Sequence, residues 1–214
     1  MRRGAAMRIV VFGPTGGTGR HLVRLALAAG HDVTAFTRRA EAIAPSPRLA
    51  IVAGRTEDAA AVDRAVAGHD AVLCALGGRP WRRRDKVCST AVANIVAAMA
   101  RHGTRRIVAI STFGAGDSRT RVGWFARRLL FGLVLRSEVG DKEAMERELA
   151  STGLDWTVVR VGLLGDGAAR GSWRASDDGS IQGMGTIARA DVAAFMLEQL
   201  ESERWIRRRP EVMY

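Results

Sequence analysis

Gly13-Pro-Thr-Gly16-Gly17-Thr-Gly19 follows directly on the β-branched and aromatic run Ile9-Val-Val-Phe12 and precedes Arg20 to Ala29, where apolar residues recur at helical spacing until Gly30. An extended run, three spaced glycines and a helix, in that order, describe a strand–turn–helix unit with a tight turn. Gly13 permits the turn, Gly16 lets the backbone approach a diphosphate, and Gly19 lets the helix pack closely on the strand. The helix N-terminus adds amide donors and a dipole that favours an anion. Gly17 completes the loop, and Thr15 and Thr18 can add hydroxyl contacts. The bland alternative, a glycine-rich corner that holds nothing, does not account for the strand before it and the helix after it.

The same alternation continues along the chain. Strands are expected at 32–37, 49–52, 71–76 and 106–110, with a long helix at 86–102 stopped by Gly103. A helix around 141–151, a strand at 156–160, an irregular glycine-rich stretch at 162–185 and a helix at 191–200 with Asp191 as its N-cap complete the pattern. Strands alternating with helices imply an α/β fold, a Rossmann-like doubly wound parallel sheet covered on both faces. The irregular stretch is long for a connection, so it is read as the substrate side of a cleft. With 214 residues, 47% hydrophobic and 26% charged, the chain suits one domain, 1–214, its residues 1–6 disordered; two large domains or wholesale disorder are excluded.

Charge and cysteine usage bound the partners. There are 33 Lys+Arg against 22 Asp+Glu, a net +11, but the arginines are scattered rather than gathered in one stripe. No helix-turn-helix, zinc-finger or RNA-binding signature accompanies them, so a nucleic-acid partner is disfavoured. Cys74 and Cys88 form no CxxC pair and are read as reduced thiols in a cytoplasmic protein. The basic start, Met1 to Ala6, lacks the apolar core of an export signal, and the apolar stretch Leu129 to Leu135 is far shorter than the roughly 20 residues of a membrane span. His21, His31, His69 and His102 share no ligand spacing, and no metal site is expected.

The second strand selects the nucleotide. NAD-binding forms end it with a carboxylate about 20 residues after the glycines, to hold the ribose 2′-hydroxyl. Here Thr37-Arg38-Arg39 stands at that place. Guanidinium groups grip a 2′-phosphate through charge-assisted hydrogen bonds, so NADP(H) is expected, with Arg38 and Arg39 as its phosphate ligands.

These segments, with Val66-Ala-Gly-His-Asp-Ala-Val-Leu73, Ile110-Ser-Thr-Phe-Gly114, Thr152-Gly-Leu-Asp-Trp-Thr-Val-Val-Arg160 and Arg189-Ala-Asp-Val-Ala193, resemble the NAD(P)H-binding, NmrA-like branch of atypical short-chain dehydrogenase/reductases, which includes biliverdin-IXβ/flavin reductases. The resemblance spans nearly the whole chain. It implies a cofactor lying across the carboxyl ends of the strands, with Ala75, Leu76, Gly77, Gly78, Ser111 and Thr112 along the groove. Departures from the family matter too. Standard members use a Tyr and a Lys four residues later; Lys142 matches the Lys, but Glu138 stands four residues before it and the chain's one tyrosine is Tyr214. Leu163 and Leu164 replace a His found in related flavin reductases, and Gly54-Arg55 replaces the usual Gly-Asp.

Without the Tyr acid, reduction of an ordinary ketone loses a proton donor worth about 100- to 10,000-fold. A flavin or quinone spreads the incoming charge over a conjugated system, so positioning alone can suffice. The expected function is therefore NADPH-dependent hydride transfer to such an acceptor, by a monomer or homodimer. Ser111, Thr112 and Lys142 would orient the nicotinamide or its ribose, and Glu138 would relay a proton if burial raises its pKa. Lys142 could instead form a surface pair with Glu138 or Glu146. Trp124 to Leu135 combines bulky apolar groups with Arg127 and Arg128, fit to wall a pocket for a flat anionic ring. The alternatives are a non-catalytic NADP-binding redox sensor of the NmrA type and a biosynthetic tailoring reductase or isomerase.

Overall fold

Ile9 to Phe12 are all buried, so neither face of the first strand meets water. Val10 and Phe12 join one apolar cluster while Ile9 and Val11 join another, as the two-residue period of a strand requires. The computed structural model describes residues 5–77, 86–121 and 136–214. Its strands are β1 (Arg8–Phe12), β2 (Asp32–Thr37), β3 (Leu49–Ala53), β4 (Ala71–Cys74), β5 (Arg106–Thr112), β6 (Asp155–Val161), β7 (Leu163–Gly165), β8 (Arg174–Ser176), β9 (Thr186–Ala188) and β10 (Glu211–Met213). Eight of them form one sheet in the order β3-β2-β1-β4-β5-β6-β10-β8, and β7 pairs with β9 in a small parallel sheet. All neighbours in the large sheet run parallel except β8, which lies antiparallel to β10 at the edge.

Helices α1 (Gly17–Ala28), α2 (Ala59–Val66), α3 (Val87–His102), α4 (Arg136–Ala150) and α5 (Arg189–Glu198) connect the strands. Leu22 of α1 and Val192 of α5 pack on one face with Ile9 and Val11; Val62 of α2, Ala91 of α3 and Met145 of α4 pack on the other with Val10 and Phe12. This is the expected doubly wound arrangement, and it brings the first turns of the helices to the edge where the strands end.

Several boundaries differ from the expectation, each for a tertiary reason. α1 begins at Gly17 rather than Arg20, because Gly17 to Gly19 are already helical on top of the turn. β5 runs on to Thr112, drawn out by pairing Ser111 and Thr112 with Arg160 and Val161. The unanticipated α2 is short and alanine-rich, capped by the Asp58 carboxylate, which accepts from the amides of Ala60 and Ala61 at 3.0 and 3.1 Å. The stretch 162–185 is not wholly irregular, for it contains β7 and β8. Asp191 is not an N-cap: α5 starts two residues earlier, after Ala188, and the Asp191 carboxylate accepts from the amides of Arg170 and Gly171 and from the Tyr214 hydroxyl. The expectations for residues 1–4, Gly78 and Trp124 to Leu135 lie outside the described residues. Among the described residues no helix is long and apolar enough to cross a membrane.

Helix α4 is rich in charged residues, yet Asp141, Lys142 and Glu146 are all at least 94% buried (6%, 4% and 3% exposed). Asp141 accepts from the amides of Cys88 and Ser89 and from the Ser89 hydroxyl, at 2.6–2.9 Å, and so caps α3 from a different helix. Lys86, at the head of α3, offers no side-chain cap of its own. Replacing Asp141→Ala strands two amides and one hydroxyl, and urea denaturation is expected to show a loss of about 2 kcal/mol, of which Asp141→Asn recovers part.

Candidate functional site

The turn after β1 is built by contact between backbone atoms. The Gly13 carbonyl accepts from the Gly16 amide at 3.1 Å, and a Cβ on Gly19 would lie 2.0 Å from that carbonyl oxygen. Gly13 itself has φ +83° and packs over the Ala75 carbonyl, 2.8 Å from where its own Cβ would stand. Only glycine satisfies both positions. No side chain caps α1 and no acidic residue occupies its first turn, so the amides of Gly17, Thr18 and Gly19 have no acceptor within the helix and lie at its positive end.

Beside this turn lies a groove of about 150 Å³. The loop after β1 contributes Gly13, Pro14 and Thr15; β2 and its end contribute Phe36, Thr37 and Arg38; the loop after β3 contributes Gly54, Thr56 and Glu57. Leu76 and Gly77, after β4, and Val87, at the start of α3, close the other wall. Phe36, Gly54, Thr56, Glu57 and Val87 were not anticipated as site residues. The structure shows why position 54 is glycine, since a Cβ there would strike the Phe36 ring at 2.7 Å, a contact between segments remote in the chain. Arg55 does not line the groove but pairs with Glu57, which does, at 3.6 Å, both side chains being exposed. Arg38 lines the groove, and among the described residues no ion pair engages it; Arg39 is exposed, does not line the groove, and donates its amide to the Thr37 hydroxyl. A glycine cradle, free helix-start amides and an adjoining groove with a cation at its rim fit a nucleotide diphosphate with its adenosine alongside.

The remaining expected residues lie deeper. Lys142 is no surface pair: its Nζ donates to the carbonyls of Leu76 and Ile110 at 2.7 and 2.8 Å, tying the ends of β4 and β5 together under the groove wall. Burial pushes the Glu138 carboxyl above its ordinary range, with Lys142 opposing and Asp141 adding to the shift. The Ser111 hydroxyl is buried and donates to Glu146 Oε1 at 2.6 Å, whereas the Thr112 hydroxyl donates to its neighbour's carbonyl at 3.3 Å. Glu146 in turn holds Arg160, whose guanidinium also reaches Asp117 at 2.7 Å, and Arg209 at 3.3 Å. Sequence reasoning missed this buried network, because its members come from four separated segments. Tyr214 donates its hydroxyl to Asp191 and accepts from the Ala188 amide, while Arg170 stacks 3.8 Å over its ring. Burial and the Asp191 carboxylate both raise its pKa. Cys74 and Cys88 are free and buried, and burial pushes the Cys88 thiol up to about 11.

A family profile described as NAD(P)H-binding matches residues 13–203, and the chain belongs to that family. An uncharacterized Mycobacterium tuberculosis protein is 32% identical over 161 residues, which cover 74% of this chain but only 15% of that protein. An uncharacterized chloroplastic protein of Arabidopsis thaliana is 28% identical over 212 residues, 92% of this chain and 72% of that one. Among solved structures, ChuY, an anaerobillin reductase from Escherichia coli O157:H7, is 25% identical with a TM-score of 0.80, covering 96% of both chains. A short-chain dehydrogenase/reductase from Veillonella parvula in complex with NADP shares the fold at a TM-score of 0.83 and 17% identity, covering 98% of this chain and 95% of that one. The chain is thus a Rossmann-fold, NAD(P)H-binding protein whose fold is of the oxidoreductase type.

The Gly19 contact yields a direct test. Gly19→Ala must push α1 off β1, so thermal unfolding is expected to show a loss of about 1–3 kcal/mol together with loss of nucleotide binding by titration calorimetry.

Proposed function

We propose that this chain is an NADPH-dependent reductase that passes hydride to a flavin, quinone or similar conjugated small molecule without a tyrosine acid. The observation that carries this reading is the engagement of its one tyrosine: the Tyr214 hydroxyl is held between Asp191 and the Ala188 amide. An acceptor that delocalises its charge needs no such acid. The similarity to an anaerobillin reductase supports an extended conjugated acceptor.

A dihydronicotinamide held by these residues would supply a hydride, carrying both electrons, and the acceptor would need one proton from another source. The residues of the chain do the rest. The glycine loop, with Thr15 and Thr18, holds the diphosphate; Arg38, assisted from outside the groove by Arg39, holds the 2′-phosphate; Leu76 and Gly77 wall the nicotinamide side, with Ala75 beneath Gly13. Lys142 fixes that wall through the Leu76 carbonyl, and Thr112, at the carboxyl end of β5, would orient the nicotinamide or its ribose. Glu138 is suited to relay the proton, since its half-buried carboxyl holds a proton to higher pH than an exposed one. In this reading residues 162–185 form the substrate side.

A second reading, a nucleotide-binding sensor without turnover, is favoured by a different observation. The Ser111 hydroxyl and the Lys142 ammonium are both committed to protein acceptors. NADPH oxidation with riboflavin, FMN or menadione separates the two: turnover is expected, and tight binding without turnover across a broad acceptor panel would establish the sensor instead.

Two variants refine the proposal. Arg38→Ala is expected to weaken NADPH by about 10- to 100-fold, the worth of a charge-assisted contact, while NADH changes less than about twofold. As a proton donor Glu138 works in its protonated form, so kcat should fall as pH rises through its elevated pKa, and Glu138→Gln should remove that limb of the profile.

A further inference from the structure

Arg189, the first residue of α5, lies across the first residue of α1. A Cβ on Gly17 would come within 2.5 Å of Arg189 Cδ and 2.7 Å of its Nε. Gly17 is helical and has no positive φ, so its backbone does not demand glycine. What the missing side chain provides is a lane for the Arg189 side chain over the glycine loop.

That placement is electrostatically unfavourable in the protein alone. The guanidinium stands where two helix N-termini, those of α1 and α5, expose their positive ends. No acid occupies the first turn of α1, and Asp191, the acid in the first turn of α5, is engaged by the Arg170 and Gly171 amides and Tyr214. The partner of Arg189 is Asp166, at 2.7 Å, with 86% of its side chain exposed. The Arg189 side chain is 26% exposed, but a pair whose carboxylate is so open to water is screened and is worth little. An anion at the head of α1 would meet both the amides and the guanidinium.

We infer that Arg189 is a nucleotide-anchoring residue, parked on Asp166 and released to the diphosphate of the bound nicotinamide nucleotide. The inference rests on the reading of the glycine loop as the diphosphate site, not on the choice of acceptor or on turnover. Asp166 then acts as a competitor for the same guanidinium, and β7, which ends one residue before it, becomes the element whose position reports nucleotide binding.

Calorimetric titration of the full chain tests this with three probes: NADPH, NADH and adenosine 2′-monophosphate, which lacks the diphosphate. Arg189→Ala is expected to weaken NADPH and NADH by the same factor, about tenfold or more, and adenosine 2′-monophosphate by less than about twofold. Arg189→Lys should recover part of the loss, and Asp166→Asn should tighten both dinucleotides severalfold. Unchanged dinucleotide affinity in a folded Arg189→Ala protein, or an equal loss for adenosine 2′-monophosphate, overturns the inference while leaving the glycine-loop site in place. If Arg189→Ala does not fold, the absence of any gain in Asp166→Asn overturns it instead. A wild-type chain that binds neither dinucleotide overturns the diphosphate reading itself, and this inference with it.

Discussion

The contact on which the structure depends is backbone against backbone, with Gly19 seated on the Gly13 carbonyl and Gly13 on the Ala75 carbonyl. Because no side chain intervenes, α1 starts immediately above the turn, and its unpaired amides open at the carboxyl end of β1. The neighbouring loops then form a groove around that helix end, carrying Arg38 on one side and Leu76 and Gly77 on the other. A Cβ on Gly19 would force α1 off the turn after β1, and a Cβ on Gly13 would strike the Ala75 carbonyl beyond β4.

Helix α4 supports the groove from below by an uncommon use of charge. Three consecutive tasks fall to its inner face: Asp141 caps α3, Lys142 ties the ends of β4 and β5, and Glu146 gathers Ser111, Arg160 and Arg209. Buried charges are costly unless paired or hydrogen-bonded, and each of these has its partners in place. Among the described residues the Lys142 ammonium and the Ser111 hydroxyl are thereby committed to protein acceptors, and under the proposed function this favours an acceptor that needs no dedicated acid.

Much of this was legible in the residues. The glycine spacing, the alternation of apolar runs and the arginine at the end of β2 led to the doubly wound sheet and to a nucleotide groove. The NAD(P)H-binding profile over residues 13–203 agrees. Less visible were α2, only eight residues long, and β10, three residues whose extended form exists because β6 and β8 flank it. Asp191 looked like a helix cap because aspartate before an apolar helical run usually is one; here the helix begins at Arg189 and the carboxylate ties down residues 170 and 171. Local propensity carries no information about a partner twenty residues away.

The sequence by itself determined the strand–glycine–helix unit, the order of elements and the arginine that follows β2, since these follow from residue spacing and local backbone freedom. Only the tertiary structure decided where the charges go: Lys142 inward to two carbonyls, Tyr214 onto Asp191, and Arg189 across Gly17. The physical reason is that a polar group's fate depends on what acceptor or donor the fold brings within about 3 Å of it, and that is set by packing between segments remote in the chain.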